Sequence, residues 1–246
     1  MRAGNRCFII HATMKTILIF AAACAALAFA SVNARAELQE KTGTFGGLKV
    51  TYKIVLPAGY DANRAYPAVL VFTGGPQTLE IATSTVQTDW QKEAEQRGYI
   101  IVAPASPNGQ LFFEGADRIF PEFLDFIMRT YKIAGKLHIT NHSNNKLNTF
   151  HVAAKYPQYF STVTGYPKLL DGPDREKASA IKAMCIFMHV GDMDDGWKAA
   201  MQSEAAQLRN QGFKVQFAIE KKQVHRLKAA EINLSARLFD EIESCK

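Results

Sequence analysis

The chain has little cysteine, and beyond its first 36 residues it has no long apolar run, no low-complexity linker and no internal repeat. Of its four cysteines, only Cys185 and Cys245 lie in residues 37–246. The absence of linkers and repeats favours a single domain over this stretch, which is long enough to bury a sizeable core. The absence of a second apolar run argues against a further membrane span there.

The first 36 residues have the pattern of a cleaved signal peptide. A charged start at Lys15 precedes the apolar run 16–30, and Ala34-Arg35-Ala36 has the small-x-small pattern of a cleavage site. We interpret residues 1–13 as a start-site artefact. A transmembrane anchor is the competing interpretation, but the apolar run is short for spanning a bilayer. We therefore expect residues 37–246 to be exported, to the periplasm or out of the cell, with no membrane span left after cleavage.

Charge gives little support for a nucleic-acid partner. The chain carries 29 basic and 23 acidic residues, and four of the basic ones (Arg2, Arg6, Lys15 and Arg35) lie in the first 36 residues, which hold no acid. Residues 37–246 therefore hold 25 basic residues against 23 acidic ones. They show no basic patch interleaved with aromatic residues, so we expect no nucleic-acid binding. No cofactor is implied, and without metal-ligand spacing around the histidines no metal is predicted.

Apolar runs alternate with helical patterns along residues 37–246. This alternation predicts a three-layer α/β/α sandwich with a mostly parallel central sheet. The segment between Tyr166 and Ala183 is too short for a large cap domain. The predicted strands are Leu48–Leu56, Tyr66–Phe72, Tyr99–Ala103, a strand starting near Leu137, Phe160–Thr164, Cys185–Val190 and Lys214–Ile219; the predicted helices are Leu79–Arg97, Arg118–Tyr131, one ending at Lys155, Trp197–Asn210 and Ala229–Ser244.

Ser143 lies where the strand from Leu137 turns directly into a helical pattern. A strand that turns sharply into a helix at a serine is a nucleophile elbow, whose usual sequence is G-x-S-x-G. Here Asn141 and Asn145 replace both glycines. Asparagine tolerates left-handed backbone angles better than most residues, which would let the turn form. Its side chain nevertheless fills volume that glycine leaves empty, and this puts turnover in doubt.

An acid and a histidine follow later strands, in the chain order serine, acid, histidine. The segment Gly191-Asp-Met-Asp-Asp195 follows one predicted strand, and His225 follows the last one. Ligand sites in parallel sheets lie at the carboxyl ends of the strands, so we expect these groups to meet. A serine hydroxyl needs a base to become a nucleophile, and the base needs a carboxylate to hold its tautomer. Ser143, His225 and an aspartate would supply these roles.

The chain resembles small secreted α/β-hydrolases of the group that includes polyhydroxybutyrate-depolymerase-like and feruloyl-esterase-like proteins. Thr73-Gly-Gly-Pro-Gln-Thr78 is similar to the family's His-Gly-x-x-Gln oxyanion loop, with Thr73 in place of the histidine. Gly191-Asp-Met-Asp194 matches the acid loop, and Val224-His225 matches the histidine loop. The resemblance implies an α/β-hydrolase fold and hydrolysis of small or polymer-linked carboxylic esters through an acyl-serine intermediate.

The same resemblance assigns roles to individual residues. The spacing after Gly191 favours Asp194 as the triad acid, with Asp192 and Asp195 as alternatives. The oxyanion hole is expected to use the backbone N–H groups of Gly75 and Asn144, since Pro76 has no N–H.

Four other residues carry smaller predictions. Tyr166 and Trp197 are candidate substrate contacts, although a core or interface role for Trp197 is an equal alternative. Cys185 starts a predicted strand and Cys245 ends the last helix, so both fall at one edge of the sheet. A disulfide is expected there, with unpaired buried thiols as the alternative.

Two other functions stay open at this point. One is a serine peptidase related to the prolyl oligopeptidases, which share this catalytic domain, although the chain has no propeller or large N-terminal domain. The other is a non-catalytic hydrolase-fold binding protein, suggested by the substituted elbow. The oligomeric state and the acyl and alcohol specificity cannot be read from the sequence.

Overall fold

A single eight-stranded sheet lies at the centre of the molecule, seen in a computed structural model that describes residues 36–141, 146–165, 175–229 and 231–245. Strand order along the sheet is β1-β2-β4-β3-β5-β6-β7-β8. The first two strands pair antiparallel with each other, β2 pairs antiparallel with β4, and all further pairs are parallel. The strands are β1 (Glu37–Phe45), β2 (Leu48–Leu56), β3 (Ala68–Phe72), β4 (Ile100–Pro104), β5 (Leu137–Asn141), β6 (Phe160–Gly165), β7 (Cys185–Gly191) and β8 (Lys214–Glu220).

Helices cover both faces of this sheet. They are α1 (Leu79–Thr85), α2 (Gln91–Arg97), α3 (Phe120–Thr130), α4 (Lys146–Lys155), α5 (Asp195–Asn210) and α6 (Leu234–Ser244). Side chains of β3 alternate between the faces: Val69 and Val71 pack with α1, α2 and α6, whereas Leu70 and Phe72 pack with α3, α4 and α5. The predicted α/β/α sandwich with a mostly parallel sheet is therefore confirmed.

Three elements differ from the sequence prediction. The edge strand β1 is not predicted, because its sequence ELQEKTGTF is mostly polar and most of its residues stay at least partly exposed. The predicted helix Leu79–Arg97 is interrupted by a π-helical turn at Val86–Trp90. The last helix begins at Leu234 instead of Ala229, since Asn233 adopts left-handed backbone angles just before it.

A disulfide joins the start of β7 to the residue after α6. Cys185 and Cys245 are bonded, with their Cα atoms 6.0 Å apart, and 60 residues separate them in sequence. Both cysteines lie at the amino end of the parallel strands, opposite the edge that carries the loops described below. In the described ranges, no helix combines the length and apolar character needed to cross a bilayer. The predicted signal peptide lies outside the described residues except for Ala36.

A buried histidine ties the last two strands to the last helix. His189 of β7 is almost fully buried, with Nδ1 2.9 Å from Oε1 of Glu220 and Nε2 2.9 Å from Oε2 of Glu241. Arg237 of α6 also donates to Glu220, with Nη1 2.9 Å from Oε2. Burial lowers the pKa of His189, but the two carboxylates more than offset that effect, so the pKa is raised above its ordinary value of 6.5.

Candidate active site

Asp194 and His225 meet across two loops at the carboxyl edge of the sheet. Nδ1 of His225 lies 2.9 Å from Oδ2 of Asp194. The carboxylate is 10% exposed and the imidazole 34%, so the pair is screened from bulk water but reachable from it. A neutral imidazole that donates from Nδ1 carries its lone pair on Nε2. The pair therefore has the geometry of a base held in one tautomer by a carboxylate.

The two alternative acids make different contacts. Oδ1 of Asp192 accepts the backbone N–H of Gln223 at 3.2 Å, which joins the two loops without contacting the imidazole. Asp195 is 91% exposed and pairs with Lys198, whose Nζ is 3.2 Å from Oδ1. Of the three aspartates, Asp194 is the one bonded to His225. Its backbone oxygen accepts the N–H of Lys198, while its side chain, at the N-cap of α5, makes no capping hydrogen bond and is directed to the histidine.

Close backbone approach holds the acid loop and the histidine loop together. The N–H of Met193 donates to the oxygen of Gln223 at 3.0 Å, and the N–H of Asp192 donates to the oxygen of Glu220 at 2.9 Å. A Cβ at Gly191 would lie 2.2 Å from the oxygen of Gln223. The glycine is therefore required because the neighbouring backbone occupies the space of a side chain. This requirement explains the glycine at the head of the acid loop.

Trp197 packs against the imidazole. Its ring centroid lies 5.9 Å from that of His225, with 36° between the ring planes. The backbone N–H of Trp197 donates to the oxygen of Asp194 at 3.1 Å, which fixes the tryptophan relative to the acid. The indole is also packed against the main apolar core. His225 is thus contacted by a carboxylate at Nδ1 and by an aromatic ring.

The loop after β3 contains two residues with positive φ angles and is held in place by hydrogen bonds. Gly75 has a φ of 61° and Gln77 a φ of 52°, which only glycine adopts without strain. The side chains of Thr73 and Gln77 are buried, and the oxygen of Gln77 accepts the N–H of Ser106 at 2.8 Å. Thr78 then caps α1, its Oγ1 accepting the N–H of Ile81 at 3.3 Å. These contacts fix the backbone around Gly75.

A glycine on the neighbouring strand leaves room for the side chain of Asn141. Asn141 is the last residue of β5, is buried, and pairs with Phe72. A Cβ on Gly165 of β6 would lie 3.4 Å from Oδ1 of Asn141 and 2.8 Å from Cε2 of Phe150. Gly165 therefore leaves the room that the side chain of Asn141 and Phe150 of α4 need.

Asn141 itself does not use left-handed backbone angles. This residue continues the strand and is not among the residues with positive φ. Extended backbone suits any residue type, so the substitution is tolerated by local space and not by the special conformational range of asparagine. Ser143, Asn144 and Asn145 lie outside the described residues, as does Tyr166.

A pocket of about 660 Å³ opens between the loop after β3 and the histidine loop. Gly74 and Gly75 line one side, and Arg226, the residue after His225, lines another. Hydroxyl groups of α1 and its cap complete much of the wall. One predicted site residue, Gly75, thus lines the cavity together with Arg226, the sequence neighbour of His225. Arg226 is not among the residues that the sequence predicts for the site, because the matched Val224-His225 segment assigns no role to the residue after the histidine.

Comparisons with known proteins agree on the fold. A ferulic acid esterase superposes with a TM-score of 0.66 at 16% identity, covering 85% of this chain and 99% of that one. An S-formylglutathione hydrolase from Agrobacterium tumefaciens superposes with a TM-score of 0.62 at 14% identity, covering 85% of this chain and 95% of that one. At such low identity these likenesses show the α/β-hydrolase fold and do not transfer an activity.

One curated sequence matches a part of the chain. It is dipeptidyl-peptidase 5 from Porphyromonas gingivalis, 41% identical over 61 residues, which are 25% of this chain and 9% of the peptidase. The chain thus matches only a small part of that relative's length. No protein-family model matches the chain.

Proposed function

We propose that the chain is a serine hydrolase that cleaves carboxylic esters through an acyl-serine intermediate. Oγ of Ser143 attacks the ester carbonyl while Nε2 of His225 takes its proton, and Asp194 stabilises the imidazolium that forms. The tetrahedral oxyanion is held by the N–H groups of Gly75 and Asn144. His225 returns the proton to the departing alcohol. A water molecule, activated by His225, then releases the acid and restores Ser143.

The observation that carries this proposal is the hydrogen bond between Asp194 and His225. This bond lies at the carboxyl edge of the sheet of an α/β-hydrolase fold. Gly75 and Arg226, the residue after His225, line the same pocket. Strand β5 ends at Asn141 and leads directly to Ser143 and α4. In this fold a serine between that strand and helix is the nucleophile.

Room for Asn141 supports a working elbow. The space left by Gly165 removes the main physical objection to an asparagine in place of the first elbow glycine. A non-catalytic binding protein would need no carboxylate bonded to the histidine, yet Asp194 is bonded to it and makes no helix-capping bond. We therefore favour catalysis over binding alone.

Hydrolysis of p-nitrophenyl acetate and butyrate tests this function. The chain and its Ser179→Ala variant, in which an exposed serine outside the proposed triad is changed, should release p-nitrophenol at equal rates. Ser143→Ala should reduce the rate at least about a thousandfold, because the nucleophile is lost. Equal rates in Ser143→Ala and the unchanged chain would sink the ester-hydrolase proposal for these substrates.

A serine peptidase is the second candidate, favoured by the 61-residue match to dipeptidyl-peptidase 5. The same triad cleaves amides when the pocket holds a peptide. Dipeptidyl p-nitroanilides distinguish the two activities. A kcat/KM for these amides above that for p-nitrophenyl butyrate would replace the esterase proposal by the peptidase one.

We also propose that the protein is exported. The disulfide between Cys185 and Cys245 supports this, since such bonds persist mainly in oxidising compartments. N-terminal sequencing of the protein from the periplasm or medium of an expressing host is expected to begin at Glu37. Recovery only inside the cell with its first residues intact would contradict export.

A further inference from the structure

The pocket beside Gly75 is lined by groups that bind polar chemistry. Among its lining residues in the described part of the chain, Ile81 has the only sizeable apolar side chain. Thr78, Ser84 and Thr85 contribute hydroxyl groups. Aromatic or long aliphatic acyl groups are bound by aromatic and aliphatic walls. This lining therefore favours a short group with a polar end over a large apolar one.

Among the described lining residues, Arg226 carries the positive charge. It is exposed, and in the described part of the chain no ion pair or hydrogen bond occupies its guanidinium. A guanidinium presents two parallel N–H groups that match the two oxygens of a carboxylate. Because Arg226 directly follows His225, a carboxylate bound there lies near the reacting ester.

Gly75 places the carbonyl end of an ester beside the pocket. It is the candidate donor to the carbonyl oxygen and also lines the pocket wall. The acyl chain and the alkoxy group are both joined to that carbonyl carbon, and the acyl chain is the one that stays at the site in the acyl-serine intermediate. We therefore place the acyl chain in the pocket. An acyl chain of a few carbons reaches from the carbonyl toward Arg226 within a cavity of about 660 Å³.

We propose that Arg226 binds a carboxylate at the far end of the acyl group, so that the preferred substrates are half-esters of short dicarboxylic acids. This inference rests on the proposed ester hydrolysis and adds its substrate class.

Glu80 is the other charged residue among the described lining residues. Because its charge is opposite to that of Arg226, removing it should have the opposite effect on an anionic substrate. It lies in the first turn of α1, where the helix dipole favours a negative charge, and among the described residues no ion pair joins it to Arg226. An anionic acyl group would be repelled by Glu80 and attracted by Arg226. Glu80→Gln should therefore raise kcat/KM for a carboxylate-bearing ester, whereas Arg226→Gln should lower it.

Three methyl esters of matched length test the proposal: monomethyl glutarate, methyl hexanoate and methyl 5-aminopentanoate. Methanol release is measured with the unchanged chain, Arg226→Gln, Arg226→Lys and Glu80→Gln. We expect kcat/KM for monomethyl glutarate to exceed that for methyl hexanoate about tenfold at low salt, as charge-assisted hydrogen bonds at an open site allow. Arg226→Gln should abolish that preference, and Arg226→Lys should keep part of it.

Each result bears on the inference separately from the proposed function. Equal kcat/KM for the anionic and neutral esters, or preference for the cationic ester that Glu80→Gln removes, would overturn the role of Arg226 while leaving ester hydrolysis in place. Turnover of none of the esters would contradict the proposed function. In that case, calorimetric titration of glutarate into the Ser143→Ala variant would still test carboxylate binding by Arg226. Binding that is lost in the double variant Ser143→Ala, Arg226→Gln would support the inference, and no binding to Ser143→Ala would overturn it.

Discussion

At the candidate site, the space between neighbouring segments explains why particular residue types occur at particular positions. Gly165 makes room for the side chain of Asn141, and Gly191 lets the acid loop lie against Gln223. Neither relation is visible in the sequence, because each joins residues that are far apart along the chain. The identities of Asp194 and His225 as a bonded pair are predictable from their order and spacing, but the reason why Asn141 is tolerated is not.

Replacing Gly191 by alanine should separate the acid and histidine loops. The new Cβ would overlap the oxygen of Gln223, so one loop must move. We expect a loss of about 1–3 kcal/mol in the free energy of unfolding, typical of overpacking, together with a fall in esterase activity. Urea denaturation and p-nitrophenyl butyrate hydrolysis measure the two effects. Gly196→Ala is the matched control, since a Cβ at that position would have no neighbour within 4 Å and the variant should not lose activity.

Trp197 is expected to act on the histidine. An aromatic face within about 6 Å of a forming imidazolium contributes about 0.5–1 kcal/mol at an exposed site. Trp197→Leu should therefore lower kcat about two- to fivefold at unchanged KM, and Trp197→Phe should lower it less. Trp90→Phe, in the core beside Phe239, should leave both constants unchanged. A higher KM at unchanged kcat would instead make Trp197 the substrate contact expected from sequence.

Among the elements, buried strands are predictable and the irregular ones are not. Strands β3 and β4 are continuous apolar runs, and their predicted bounds agree with the structure to within two residues. Strand β1 has no apolar alternation, since its pairing with β2 comes from backbone hydrogen bonds at an edge. The π turn at Val86–Trp90 keeps helical periodicity on both sides, so a sequence pattern cannot reveal it.

The contact of β7, β8 and α6 through His189 predicts a pH-dependent stability. Its folded-state pKa is raised above 6.5 by Glu220 and Glu241, so the stabilisation is fully present below about pH 6.5 and is lost as the pH rises through the folded-state pKa. Arg237 is the other charged group of the cluster. The difference in unfolding free energy between the chain and His189→Gln should therefore be larger near pH 5.5 than near pH 9. Urea denaturation of both proteins at each pH measures these differences. A difference that is larger near pH 9 than near pH 5.5 would contradict the prediction.

At the scale of the whole molecule, the strand order places the loops after β3, β7 and β8 at one edge and the disulfide at the other. The sandwich architecture follows from alternating strands and helices, and the comparisons agree with it. Specificity does not follow from the fold, because it depends on the side chains that line the pocket, and no motif assigns a role to Arg226 there. The sequence therefore predicts where catalysis would occur better than what is cleaved.

The disulfide should stabilise the C-terminal part of the molecule. Closing a loop between residues 60 positions apart restricts the unfolded chain by about 4 kcal/mol in the chain-entropy relation. Changing both Cys185 and Cys245 to serine should lower the free energy of unfolding by about 2–4 kcal/mol. Urea denaturation of the chain with and without dithiothreitol provides the comparison. Equal stability under both conditions would show that the bond does not form in solution.

Activation of Ser143 by His225 and Asp194 is the central claim, and covalent labelling by a fluorophosphonate tests it most directly. The reagent reacts with activated serines, and mass spectrometry of the digested protein identifies the modified residue. We expect one label, on Ser143, lost in Ser143→Ala and slowed at least about a hundredfold in His225→Ala, because the base that activates the hydroxyl is missing. A folded chain that takes up no label, or takes it up equally fast in His225→Ala, would contradict an activated serine.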